Sequence, residues 1–167
     1  MGYVILIAIV VGFTAIIAFF AIRAHSSRRR KKIEELLREG AVSENDLLME
    51  GYHRAGKFAM SQWVFVSINY EHVRVYAEFV MSGTRAHYDL FEFRPEELGN
   101  FTAEAREKNK IFIKFTPRQG VNSEHFSQTG GYTHPEFLLH LKPHKKEMDA
   151  NAIVSTINGF GFEIGGK

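Results

Sequence analysis

The sequence predicts an α+β chain: an N-terminal transmembrane helix, then a small antiparallel sheet or partly open barrel that ends in a C-terminal helix. Three observations predict it. Tyr3 to Ile22 is an uncharged run of 20 residues, which at about 1.5 Å per helical residue reaches roughly 30 Å, the depth of one bilayer core. From Gln62 onward apolar residues recur at every second position, the period of a strand. Near the end, Met148, Ile153, Val154 and Ile157 return to helical spacing.

The N-terminal run lacks the flanks of a cleaved signal peptide. Met1-Gly2-Tyr3 carries no basic residue, and the apolar stretch is longer than the 7 to 15 residues or so of a signal core. Charge then sets the expected topology. The chain has 21 Lys and Arg and 19 Asp and Glu. All the acids lie at or beyond Glu34, whereas Arg23, Arg28, Arg29, Arg30, Lys31 and Lys32 precede it. Basic residues beside a span stay on the cytoplasmic side. The expectation is therefore a single-pass inner-membrane protein with its N-terminus outside, divided into a transmembrane anchor (1–25), a basic juxtamembrane linker helix (26–42) and a cytoplasmic α+β domain (43–167). The six basic residues would report topology and lie near anionic lipid headgroups.

Residues 33–167 carry 15 basic and 19 acidic groups, a net charge of −4. That argues against a nucleic-acid binder, which places a basic face on its folded domain. There is no cysteine, so disulfides, thiolate nucleophiles and Cys-based metal sites are excluded.

Each element follows from its local pattern. Ile33 to Arg38 reads as a helix closing at Gly40, a C-cap glycine. Ser43-Glu44-Asn45-Asp46 resembles an N-cap with acids in the first turn, predicting a second helix through Leu47, Leu48 and Tyr52. Val64, Val66, Ile68 and Tyr70 alternate with Trp63, Phe65, Ser67 and Asn69, a strand apolar on both faces and so covered on both sides. Val73, Val75, Ala77 and Phe79 alternate with Arg74, Tyr76 and Glu78, and the short Asn69 to His72 link joins the two strands as a hairpin. Ala86 to Phe93 is a third strand, reached through a turn at 81–84. Pro95-Glu96-Glu97-Leu98 forms a helical turn with proline first. Lys110 to Thr116 alternates again, 118–133 is a long polar loop, and Glu136 to Lys142 is a further strand. Lys145 to Asn158 is the last helix, closed by Gly159, with a short strand at 160–164.

From Gly51 to about Asn158 this order resembles a bacterial pleckstrin-homology-like or GRAM-like domain. The resemblance is carried by Gly56-Lys57-Phe58, the hairpin WVFVSINYEHVRVYAEF, the strand and turn FEFRPEEL with Leu98 in the apolar position, KNKIFIKF, EFLLHLK and the helix EMDANAIVSTIN. It implies a small barrel plugged by its C-terminal helix, acting as a binding or scaffolding module without catalysis. The 118–133 loop and the GFGFEI tail depart from that pattern. The basic lipid-headgroup pocket of some eukaryotic members has no counterpart here.

Chemistry is sparse. His134, His140 and His144 have the spacing H-x5-H-x3-H, which would make a metal site only if the chain bent sharply, because residues 134 and 140 of one strand lie about 20 Å apart. No phosphate loop, dinucleotide fingerprint or nucleophile elbow occurs. No cofactor or small-molecule substrate is expected. Trp63, Phe65, Tyr76 and Phe112, aromatic residues interleaved with charges, form the candidate interaction surface. The function predicted is a membrane-anchored module that recruits a protein partner or self-associates at the bilayer. The alternatives are a membrane-tethered enzyme with a His-based metal site and an extracytoplasmic sensor or assembly domain.

Overall fold

The structure, a computed structural model, describes residues 2–54, 62–80, 86–118 and 136–162. It forms two compact units, Met1–Ser43 and Glu44–Lys167. The expected 118–133 loop, His125, His134, the Gly56-Lys57-Phe58 lead-in, the 81–84 turn and the end of the GFGFEI tail lie outside the described residues.

The first unit is one helix, α1 (Gly2–Arg38). Thr14 returns its hydroxyl to the carbonyls of Val10 and Val11 at 3.0 and 2.9 Å, which satisfies the group within the helix. The end is a Schellman motif. Gly40 adopts φ 69°, its N–H donates to the Leu37 carbonyl, and the Ala41 N–H donates to the Leu36 carbonyl. Among the described residues no helix is long and apolar enough to cross a membrane. This overturns the transmembrane anchor, the single-pass assignment and the inner-membrane location with a cytoplasmic domain. Helix α1 runs unbroken for 37 residues into the basic stretch and on to Arg38, and its described residues do not assemble an apolar length matching a bilayer core. Of the six basic residues, Arg30 pairs with Glu34 at 3.0 Å and Lys32 with Glu35 at 2.8 Å, about one turn along the helix.

The second unit is a seven-stranded antiparallel sheet. Its strands are β1 (Leu47–His53), β2 (Gln62–Ile68), β3 (Val73–Val80), β4 (Ala86–Phe93), β5 (Leu98–Arg106), β6 (Lys110–Pro117) and β7 (Phe137–Pro143), in the order β4-β3-β2-β1-β7-β6-β5. A 3-10 turn at Pro95–Glu97 links β4 to β5, held by the Arg94 N–H donating to the Glu97 carboxylate at 2.7 Å. Helix α2 (Ala150–Gly159) follows β7 and packs on β5, β6 and β7.

Two strands differ from the sequence reading. The helix expected from Ser43 is strand β1, paired on both sides with β2 and β7. The capping pattern is used otherwise, since Asp46 turns its carboxylate to Ser67 and Asn69 of β2 and the following turn. Strand β5 is an addition. Gly99 and Asn100 hid it by weakening the strand pattern, and a register shift between Gly99 and Thr102, with Asn100 at φ 51°, accommodates them. Helix α2 starts at Ala150, later than expected, because Asp149 caps it by accepting from the Ala152 N–H at 3.3 Å. Asn109, in the left-handed turn between β5 and β6 (φ 54°), grips the same helix end. Its side chain accepts from the Ala150 N–H at 2.6 Å and donates to the Met148 carbonyl at 3.0 Å.

The sheet is strongly curled. Phe93 on β4 and Phe115 on β6 have ring centroids 5.2 Å apart, although five inter-strand steps would separate these strands by roughly 24 Å in a flat sheet. Phe91 and Phe93 likewise reach Phe137 on β7 at 5.6 and 5.4 Å. The concave side is filled by these rings, by Val64, Val66, Ile113 and Leu139, and by Ile153 and Ile157 of α2. The result is a half-barrel whose hollow is occupied by its own side chains.

Candidate binding surface

Strand β2 is buried on both faces, so Trp63 and Phe65, nominated as interaction residues, are enclosed at 6% and 0% exposure, as is Tyr76 on β3 at 5%. Phe65 packs 6.2 Å from Tyr76 and edge-on to His144 at 5.7 Å, and Trp63 meets Tyr88 edge-on at 6.4 Å. Burial pushes the Tyr76 hydroxyl pKa above its ordinary value. Of the four nominated aromatics only Phe112 reaches the surface, half-buried on β6.

Of the alternative histidine group, His134 lies outside the described residues, among which no three His, Asp or Glu side chains could hold a metal ion. His140 is exposed on β7 against Phe112, while His144 lies beyond the strand end with Nδ1 buried and without a hydrogen-bond partner. His53, not singled out from sequence, is held between strands: its ring stacks on Phe137 at 5.2 Å and Nδ1 accepts from the Leu138 N–H at 3.3 Å. Burial lowers its pKa, so it is neutral at pH 7.

Two polar constellations were not legible in the sequence. The first sits where the β2–β3 hairpin turns. Asp46 accepts from the Ser67 hydroxyl at 2.6 Å and from the Asn69 amide at 3.0 Å, and Asn69 Nδ2 lies 3.2 Å from His72 Nε2. The Asn69 side-chain oxygen accepts from the backbone N–H groups of Glu71 and His72, an Asx turn that closes the hairpin. Nearby, Arg74 pairs with Glu92 at 2.8 Å, and that hydrogen bond holds the Glu92 carboxyl below the usual carboxylate range. A shallow polar cleft of about 530 Å³ lies over this end, lined by Tyr70, His72, Arg74, Glu92 and Arg94 among others. Asparagine opening a four-residue link was the sequence signal for the turn; the acceptor Asp46 lies too far upstream to be read.

The second constellation covers the convex side of β1, β7, β6 and β5. The register lines up Tyr52, His140, Phe112 and Glu104 across the four strands. Phe112 and His140 have ring centroids 5.0 Å apart, and the Arg106 guanidinium sits 4.0 Å over the Phe112 ring. Tyr52 is 48% exposed. One step along the strands Arg106 stands opposite Lys110, with Lys142 on β7 beside Glu50. One step the other way Lys114 pairs with Leu138, whose carbonyl accepts from the Arg54 N–H. The ring row therefore has cations on both sides. Partial burial, then the fields of Arg106, Arg54 and Lys110, lower the pKa of His140.

No protein-family model, curated protein or solved structure matches the chain.

Proposed function

We propose that Glu44–Lys167 is a binding module, similar to a pleckstrin-homology-like domain, that engages a protein partner or a second copy of itself. The observation that carries this reading is the curled meander β4-β3-β2-β1-β7-β6-β5 with a C-terminal helix on β5, β6 and β7. Such an architecture spends its hollow on its own core and leaves strand faces for recognition. The polar side chains at the β2–β3 hairpin end fit the same reading. Asp46, Ser67 and His72 are tied into turn and strand structure, and Glu92 is paired. The test is crosslinking of the full chain in cells followed by mass spectrometry. A reproducible crosslink from the module to one partner or to another copy is expected, and a strictly solitary chain overturns the reading.

A further inference from the structure

We propose that the convex face of β1, β7, β6 and β5 is a docking surface for an acidic polypeptide segment, laid across the strands along the Tyr52, His140 and Phe112 row. The inference rests on the binding-module reading and names the partner's chemistry.

Charge complementarity argues for this occupant. The unit Glu44–Lys167 has 14 basic and 16 acidic residues, yet this face gathers Arg54, Arg106, Lys110, Lys114 and Lys142. Their acidic neighbours are Glu104 at 3.5 Å from Arg106, Glu136 at 2.7 Å from Lys114 and Glu50 at 3.3 Å from Lys142. Arg54 and Lys110 have no ion pair among the described residues, so the face keeps a positive excess on a module of the opposite sign. Arg106 directly opposite Lys110 is a pairing of like charges that costs a sheet stability. A bound carboxylate relieves it.

The rings supply the apolar component. Tyrosine and arginine are over-represented among the residues that dominate binding energy, and here an exposed tyrosine and a half-buried phenylalanine share one row while the Arg106 guanidinium, one step along, stacks on the phenylalanine ring. Three inter-strand steps span roughly 14 Å, the reach of about four residues of extended peptide. A nucleic acid fits less well. Its closely spaced phosphates would also meet Glu50, Glu104 and Glu136, and the net negative charge of the module opposes a polyanion.

The test uses the full chain and fluorescence anisotropy. The probe is a labelled hexapeptide of Glu and Asp interrupted by Phe and Leu, compared with its Gln and Asn counterpart and with single-stranded oligothymidylate. The acidic peptide is expected to bind in a salt-dependent manner, at least about tenfold more tightly than the amide counterpart. The double variant Arg54→Gln/Lys110→Gln should weaken it about tenfold, roughly threefold for each cation. Tyr52→Ser should weaken it too, and Arg94→Gln, an exposed cation lining the cleft at the β2–β3 hairpin end, should not. No binding of the acidic peptide, equal affinity for both peptides, indifference to the double variant, or tighter binding of the oligonucleotide overturns the proposal. Failure of the module reading looks different: the wild-type chain then forms no crosslink in cells. Crosslinks that persist unchanged in the double variant sink this face alone.

Discussion

The Ser67 hydroxyl donates to the Asp46 carboxylate at 2.6 Å in a site where Ser67 is fully buried and Asp46 is 8% exposed. This bond ties the segment before β1 to the C-terminal end of β2. Ser67→Ala removes a donor from a buried carboxylate and should cost about 1–3 kcal/mol, read from chemical denaturation. A loss within error of zero would mean that Asp46 does not depend on the Ser67 hydroxyl.

How legible the fold was depended on which neighbours each strand needed. Val64, Val66 and Ile68 announce β2 because both of its faces are apolar, and the Asn69 to His72 link announces the hairpin. Residues 43–50 misled for a physical reason: a serine followed by acids satisfies a helix start and an edge-of-strand polar network equally well, and only Ser67, some twenty positions on, decides between them. The convex row was invisible for the same reason. Tyr52, Phe112 and His140 lie far apart in the chain, and nothing short of the β1–β7–β6 register brings them together.

Gly51 is required by the pairing of β1 with β7. A Cβ there would collide with the backbone carbonyl of His140, and backbone cannot swing aside as a flexible side chain can. Gly51→Ala should destabilise the protein by about 2–4 kcal/mol in thermal or chemical melts. Gly159, with open space around its Cβ position, is the control, and Gly159→Ala should change stability far less.

Phe115 and Phe137 stack face to face at 4.7 Å with planes 4° apart, and Phe137 also touches Phe91, Phe93 and His53. Phe137 is the ring that binds β4 to β7 across the hollow. Phe137→Ala should cost about 3–5 kcal/mol. Phe137→Leu, which keeps most of the volume, should cost distinctly less; equal losses would count against a packing role.

His53 makes stability depend on pH in a defined direction. Its folded-state pKa is depressed from 6.5, chiefly by burial, so as pH falls through 6.5 the unfolded chain takes up the proton before the folded one. Stability is therefore full above the unfolded value, declines as pH drops from about 7 toward the folded-state value, and levels off below it. Denaturation curves of wild type and His53→Gln across this window should differ in slope, with the variant flatter. Parallel slopes would remove His53 as the cause.

The pairing of β1 with β7 also governs the order of assembly. Strands β1 to β4 pair with their neighbours in the chain, as do β5 to β7, so each group pairs over shorter sequence separations than the β1–β7 seam. The β1–β7 seam alone joins distant stretches, His53 with Leu139 and Met49 with Pro143. Bringing such remote segments together costs loop-closure entropy and slows a folding chain. Loop-closure entropy thus favours two local meanders that form before they join, and Gly51 sits on the seam between them.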